Sequence, residues 1–135
     1  MTRPIVDTHQ HQWDTNSFSL SWVEAAGEPL GKDHLMSDYL EVTSGIDIVK
    51  TVYMEVDVSP DQRQAEAEYV IEHCKRDDNP MAGAVISGDP SASGFESYVR
   101  QFESSPYIKG FRLVLHVPEA ERSTCLGDAF VDGVR

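Results

Sequence analysis

Apolar residues along the chain fall into short runs that alternate with amphipathic segments. Runs rich in β-branched and other apolar residues predict four strands, over residues 4–9, 48–58, 81–87 and 107–116. A segment with helical character follows each run, and the last of these begins near residue 126. Strands that alternate with helices predict a parallel sheet with helical crossovers, so the fold class is α/β.

Two of the predicted helices have start signals of their own. Each begins with a serine that is followed three residues later by Gln62 or Glu96, which is the pattern of a capping box. Apolar side chains then recur at helical spacing, at Ala67, Val70, Ile71 and Cys74 and at Phe95, Tyr98, Val99 and Phe102. Asp33 is expected to cap a further short helix that ends near Gly45. Residues 12–32 are too irregular to predict a single element.

The end of the first strand distinguishes between two architectures. An open sheet that binds nucleotides usually has a glycine-rich turn there, whereas this strand ends in Thr8-His9-Gln10-His11. Histidines at strand ends are typical of a (β/α)8 barrel, which needs about 250 residues. The chain has 135. We therefore predict a TIM-barrel-type fold in which residues 1–135 supply about the first four βα units, the N-terminal half of one barrel domain.

Composition excludes several classes of partner. The net charge is −12, from 11 basic and 23 acidic residues, which argues against binding to nucleic acid or an anionic membrane. We find neither a signal peptide nor an apolar run of transmembrane length. Cys74 and Cys125 fit no metal-binding spacing, and a reducing cytoplasmic location suits them best.

The strongest candidate chemistry is the pair His9 and His11. Residues two apart in an extended segment point to the same face, and Asp7 shares that face. Neutral imidazole binds zinc well, but a catalytic zinc normally has three protein ligands. The alternative is that both histidines are ordinary polar residues facing solvent.

A family resemblance bears on this choice. Residues 5–14, Ile-Val-Asp-Thr-His-Gln-His-Gln-Trp-Asp, resemble the opening strand of the amidohydrolase superfamily. The Trp13-Asp14 ending is similar to the amidohydrolase-2 branch, which contains sugar lactonases and 2-pyrone-4,6-dicarboxylate lactonase. Residues 51–55, 109–112 and 130–134 resemble the second strand, the fourth strand and the helix after it. The resemblance covers the whole chain but only the N-terminal half of a family member.

The resemblance implies a metal-dependent hydrolase that opens a sugar-derived or carboxylated lactone. His9 and His11 would bind a divalent metal, with zinc expected although metal dependence varies in the branch, or they would polarise the lactone carbonyl. The family's later histidine and its aspartate general base would lie beyond Arg135. The active site in this chain is therefore expected to be incomplete, and its catalytic residues are unknown.

Four further residues are candidates for substrate binding. Trp13 is expected to form a wall of the pocket. Glu55 could hold a metal, a histidine or a sugar hydroxyl, or it could be an exposed loop acid. Arg112 lies in an otherwise apolar strand, where it would need an acidic partner or would bind a substrate carboxylate; the resemblance favours the substrate. His116 shares the parity of Arg112 and is either a second contact or an ordinary loop histidine.

Two alternatives come from other functional classes. A half-barrel has two open sheet edges, so the chain could be a non-catalytic or truncated form that associates with itself or with a separate C-terminal half. Metal-dependent phosphoesterases of the TatD and PHP types also begin with His-x-His, although TatD proteins usually lack the tryptophan.

Overall fold

A four-stranded parallel sheet forms the centre of the computed structural model, which describes residues 3–117, 120–121 and 123–135 without the side chain of Glu24. Its strands are β1 (Ile5–Gln10), β2 (Ile48–Met54), β3 (Met81–Ser87) and β4 (Ile108–Arg112). All neighbours pair in parallel, in the order β1-β2-β3-β4. The predicted α/β arrangement with a parallel sheet is confirmed.

Helices occupy the connections between the strands, and one more helix follows β4. They are α1 (Ser21–Ala26), α2 (Met36–Val42), α3 (Arg63–Cys74), α4 (Phe95–Arg100) and α5 (Asp128–Val134), with 3-10 turns at Pro60–Gln62 and Thr124–Leu126. The longest, α3, buries Ala67 and Val70 in a core shared with Tyr53, Ala84 and Ile86 of the sheet. No helix within the described ranges is long and apolar enough to cross a membrane.

Two strands are shorter than the sequence predicts. β2 ends at Met54 rather than residue 58, because the backbone turns at Asp57, which has a positive φ of 55°. β4 ends at Arg112 rather than His116. Its partner β3 ends at Ser87, and the last bond of that ladder runs from the Gly88 amide to the Arg112 carbonyl at 3.0 Å. The residues after each strand therefore become loops at the carboxyl edge of the sheet.

The predicted capping interactions are wrong, because the side chains make other contacts, two of them with distant residues and one within its own helix. The Gln62 side chain accepts a hydrogen bond of 2.6 Å from the Ser19 amide, and the Glu96 carboxylate pairs with Arg100 at 2.7 Å. Asp33 binds the amide of Thr15 at 2.8 Å instead of capping α2. The carboxylate that binds the N-terminus of α2 belongs to Asp38.

The register of β1 positions its polar residues. Asp7 pairs with Thr51 and Gln10 with Tyr53, so β1 has one more residue than β2 between these pairs, which is a bulge. Beyond the bulge, Gln10 and Gln12 are buried at 2% and 1% exposure. The alternating positions, His9 and His11, are exposed and half-buried, respectively.

Candidate active site

The two histidines at the end of β1 converge on each other. The Nε2 atoms of His9 and His11 lie 3.1 Å apart, and their rings meet edge to face with centroids separated by 4.9 Å. The two imidazoles therefore lie on the same side of the strand, as their spacing predicts. The metal role assigned to the pair remains a prediction.

A neighbouring strand sets the tautomer of His11. Its Nδ1 lies 3.0 Å from the carbonyl oxygen of Met54, the last residue of β2. Because a carbonyl can only accept, Nδ1 carries the proton and Nε2 presents a lone pair toward His9. Burial and then the adjacent His9 lower the pKa of His11 below its ordinary value of 6.5, which favours this neutral form.

Asp7 faces a different partner from the one its parity suggests. One carboxylate oxygen accepts a hydrogen bond of 2.8 Å from the hydroxyl of Tyr39 in α2, and the other accepts one of 3.1 Å from the His9 amide. Burial, together with the bond to Asp7, raises the pKa of Tyr39 to about 12. Asp7 thus supports the backbone that carries the histidines.

Glu55 is a buried carboxylate at the end of β2. Its exposure is 2%, so the alternative of an exposed loop acid is wrong. Its Oε2 accepts hydrogen bonds from the Asp57 amide at 2.7 Å and the Ser87 hydroxyl at 3.0 Å. Burial is the main cause of a raised pKa, which these bonds and Arg112 oppose.

Arg112 connects this carboxylate with the open space above the sheet. Its Nη1 lies 3.2 Å from Glu55 Oε1, and 31% of the Arg112 side chain stays exposed. The two alternatives for this residue are therefore compatible: one edge of the guanidinium pairs with an inward acid while the rest is free to meet a ligand.

A cavity of about 390 Å³ joins most of the predicted residues at the carboxyl edge of the sheet. His11, Trp13, Glu55, Arg112 and His116 all line it, and His9 reaches it only through its contact with His11. The other lining residues are Trp22, Leu30, Val56, Asp57, Val114 and Val117. Apart from His9, the predicted site residues, which lie at or after the ends of three strands, thus line one space.

Aromatic side chains hold one wall of this cavity. The indole N–H of Trp13 donates to the Lys32 carbonyl at 2.7 Å, and that of Trp22 donates to the Val56 carbonyl at 2.7 Å. The two indoles pack edge to face at 5.1 Å, and the ring of His34 lies 4.5 Å from Trp13. The wall position predicted for Trp13 agrees with this packing; sequence reasoning overlooked Trp22, which lies in the stretch considered irregular.

Sequence reasoning also overlooked two buried polar residues beneath the cavity, Glu66 and Ser87. Glu66 in α3 is fully buried, and Ser87 at the end of β3 is 3% exposed. A signal for Glu66 was available, because it precedes Val70 by four positions and so shares the apolar face of the helix. Ser87 had no such signal, since its partner Glu55 is distant in sequence.

The donor set suits a divalent metal but is incomplete. With zinc–nitrogen bonds of about 2.0–2.1 Å, two nitrogens 3.1 Å apart can contact the same ion. Among the described residues, however, no group of three or more His, Cys, Asp or Glu side chains is placed to hold a metal. The histidine pair can thus contribute two ligands of a site.

Comparison with known proteins gives a clear structural result. No protein-family model and no curated protein matches the sequence. Amidohydrolase 2 from Bifidobacterium longum subsp. infantis aligns with a TM-score of 0.66 and 24% identity, over 99% of this chain and 47% of that protein. An amidohydrolase from Burkholderia multivorans, crystallised with bound zinc, aligns with a TM-score of 0.70 and 19% identity over 96% and 43%.

A second crystal form of the Burkholderia protein, with bound HEPES, gives a TM-score of 0.71 at 20% identity. The chain therefore shares the fold of these amidohydrolases and spans a little less than half of their length.

Proposed function

We propose that residues 1–135 are the N-terminal half of a (β/α)8 barrel of the amidohydrolase-2 branch, and that the complete enzyme hydrolyses a sugar-derived or carboxylated lactone. The observation that carries this proposal is the convergence of His9 and His11 at 3.1 Å beside a cavity lined by Arg112 and Glu55. The fold shared with amidohydrolases supports the reaction class.

In this proposal His9 and His11 contribute two ligands to a divalent metal, with zinc expected. When bound, zinc supplies Lewis-acid polarisation of a carbonyl oxygen. The Met54 carbonyl keeps the His11 proton on Nδ1, which leaves Nε2 free as a ligand. The Asp7 carboxylate holds the His9 amide and so fixes the backbone that leads into His9.

The substrate contacts lie on the other side of the cavity. The exposed edge of the Arg112 guanidinium binds a carboxylate or ring oxygen, and Glu55 holds its opposite edge. His116 supplies a second polar contact from the loop after β4, and Trp13 offers a flat apolar wall. The general base is an aspartate outside residues 1–135, so hydrolysis requires the remainder of the barrel.

The sheet edges suggest what completes the site. β1 and β4 have one strand neighbour each in the described chain, and unpaired edges readily accept another strand. Ile5, Val6 and Val49, near the β1 edge, are 43%, 51% and 47% exposed. We propose that a C-terminal half, or else a second copy of the chain, covers this surface. Light scattering that finds a stable folded monomer of residues 1–135 would count against this.

The test is hydrolysis by the full-length protein of a panel of sugar lactones and 2-pyrone-4,6-dicarboxylate. Arg112→Lys keeps the charge but removes the two-pronged contact, so we expect KM for the carboxylated substrate to rise by at least about tenfold. Arg100→Lys, on the exposed face of α4, is the matched control. Phosphodiesterase activity without lactonase activity would instead favour the TatD- or PHP-like alternative.

A further inference from the structure

Glu66 is a fully buried carboxylate that the proposed reaction does not use. It lies in α3 at 0% exposure, and three donors surround it. Its Oε1 accepts hydrogen bonds from the Tyr53 hydroxyl at 2.9 Å and the Val56 amide at 3.3 Å, while Oε2 accepts one from the Ser87 amide at 3.0 Å. Both oxygens therefore face a backbone N–H, which can only donate.

No cation compensates this buried group among the ion pairs of the described residues. Removing a carboxylate from water is costly, and an apolar residue of similar volume often stabilises a core as well or better. Packing α3 against the sheet is thus a poor explanation for an acid at this position. Its hydrogen-bond partners indicate a different role.

The two backbone donors to Glu66 belong to residues that adjoin Glu55, one in the chain and one in the neighbouring strand. Val56 follows Glu55 in the chain and lines the cavity, whereas Ser87 donates its hydroxyl to Glu55 Oε2 at 3.0 Å. One carboxylate in the helix layer therefore holds both the backbone after Glu55 and the backbone amide of Ser87, whose hydroxyl binds Glu55. Since Glu55 in turn pairs with Arg112 at 3.2 Å, a continuous chain of contacts connects α3 with the cavity.

We propose that Glu66 is a positioning residue, which fixes Glu55 through Val56 and Ser87 and thereby holds the Arg112 guanidinium with its free edge toward the cavity. What Arg112 then binds rests on the proposed function. The positioning itself does not, because it concerns only contacts within residues 53–112.

Chemical modification of Arg112 tests this without any enzymatic activity. Phenylglyoxal reacts with accessible guanidinium groups, and peptide mass spectrometry gives the rate at each arginine. Glu66→Gln preserves size but places an amide NH₂ against at least one backbone donor, so a contact is lost. Glu68→Gln, on the exposed side of the same helix, is the matched control. Arg100, whose side chain is 63% exposed, is the internal reference.

We expect Arg112 to react several-fold faster in Glu66→Gln than in the wild type or in Glu68→Gln, with Arg100 unchanged. Glu55→Gln sets the upper limit, because it removes the charge that Arg112 pairs with. If Glu66 acts through Glu55, the double variant reacts no faster than Glu55→Gln alone. A general loosening of the fold would instead make the two effects multiply, and that result would overturn the proposal.

An unchanged Arg112 rate in folded Glu66→Gln would overturn it equally. Should Glu66→Gln fail to fold, Ser87→Ala replaces it, since this variant removes the hydroxyl contact to Glu55 Oε2 and leaves the three donors to Glu66 in place. Because that change cuts the proposed connection between Glu66 and Glu55, a wild-type rate for Arg112 in Ser87→Ala would then decide against the proposal. These modification rates do not depend on lactonase activity. A failure of the proposed function can therefore be distinguished from a failure of the positioning proposal.

Discussion

The Nε2 atoms of His9 and His11 face each other at 3.1 Å, and the Nδ1 atom of His11 is occupied by the Met54 carbonyl. Two imidazole nitrogens at this separation share either one proton or one cation, because two protonated rings would repel each other. With the His11 proton on Nδ1, the two facing Nε2 atoms are the nitrogens that a metal would bind.

This relationship predicts zinc binding that depends on both histidines. We expect His9→Ala and His11→Ala each to weaken zinc association by at least about tenfold, or about 1.4 kcal/mol, in isothermal titration calorimetry. His73→Ala, in α3 away from the cavity, is the control and should bind as the wild type does. Unchanged affinity in both site variants would refute the metal role of the pair.

His73 predicts a component of acid sensitivity. Burial and then the charge of Arg76 lower its pKa below 6.5, against a smaller opposing effect of Asp78. The unfolded chain therefore takes up this proton first, and the contribution of neutral His73 to stability, present above about pH 6.5, is lost as the pH falls toward the lower folded pKa. In urea titrations across this range, the free energy of unfolding should decrease less for His73→Gln than for the wild type. Parallel curves would contradict this.

The two cysteines should differ in reactivity. Burial raises the pKa of the Cys74 thiol to about 11, whereas Cys125 is exposed. At pH 8 only about one Cys74 in a thousand is the nucleophilic thiolate. Iodoacetamide should therefore modify Cys125 well before Cys74, as followed by peptide mass spectrometry. Urea-unfolded protein, in which both react, provides the control; faster modification of Cys74 in the folded state would show that the prediction is wrong.

Gly133 allows α5 to approach the loop after β3. A Cβ atom at this position would collide with the carbonyl oxygen of Pro90. Alanine favours an isolated helix by about 1 kcal/mol over glycine, yet here we expect Gly133→Ala to destabilise the protein by about 1–3 kcal/mol. Gly127→Ala, whose nearest contact would be 3.4 Å, should have a smaller effect. Thermal unfolding measures both, and a Gly133→Ala variant as stable as the wild type would contradict the packing.

Local pattern predicted the sheet well and the side-chain contacts poorly. Residues 81–87 form β3 as predicted, because an apolar run buried on both faces leaves little choice of structure. In the capping box predicted with Glu96, this side chain pairs instead with Arg100 of the same helix. The capping box predicted with Gln62 failed because this side chain binds the distant Ser19 amide, a contact that local sequence cannot encode. The short α1 was overlooked for a similar reason, since its Trp22 is anchored by the Val56 carbonyl.

In the candidate site, too, the positions of residues were predictable but their contacts were not. Strand-end position and parity indicated His9 and His11, since parallel strands bring their carboxyl ends to one edge of the sheet. Arg112 was indicated by its charge within an otherwise apolar strand. The hydrogen bonding of the buried Glu55 was not predictable, because its partner, the Ser87 hydroxyl, comes from another strand. Glu66 interrupts an apolar helix face, and that irregularity in the pattern was the clue to a buried polar network.

The bulge in β1 determines which residues of this strand face the cavity and which are buried. Histidine and glutamine alternate from position 9 to position 12, with the histidines on the cavity side and the glutamines buried. Without the bulge, the same sequence would pair His9 rather than Gln10 with Tyr53, which would exchange the two sets and present amides where the imidazoles now stand. The site thus depends on one extra residue in β1, and an insertion that shifts this pairing by one would abolish it without any substitution. Among homologous genes, the length of this segment would therefore be as informative about function as the identity of its histidines.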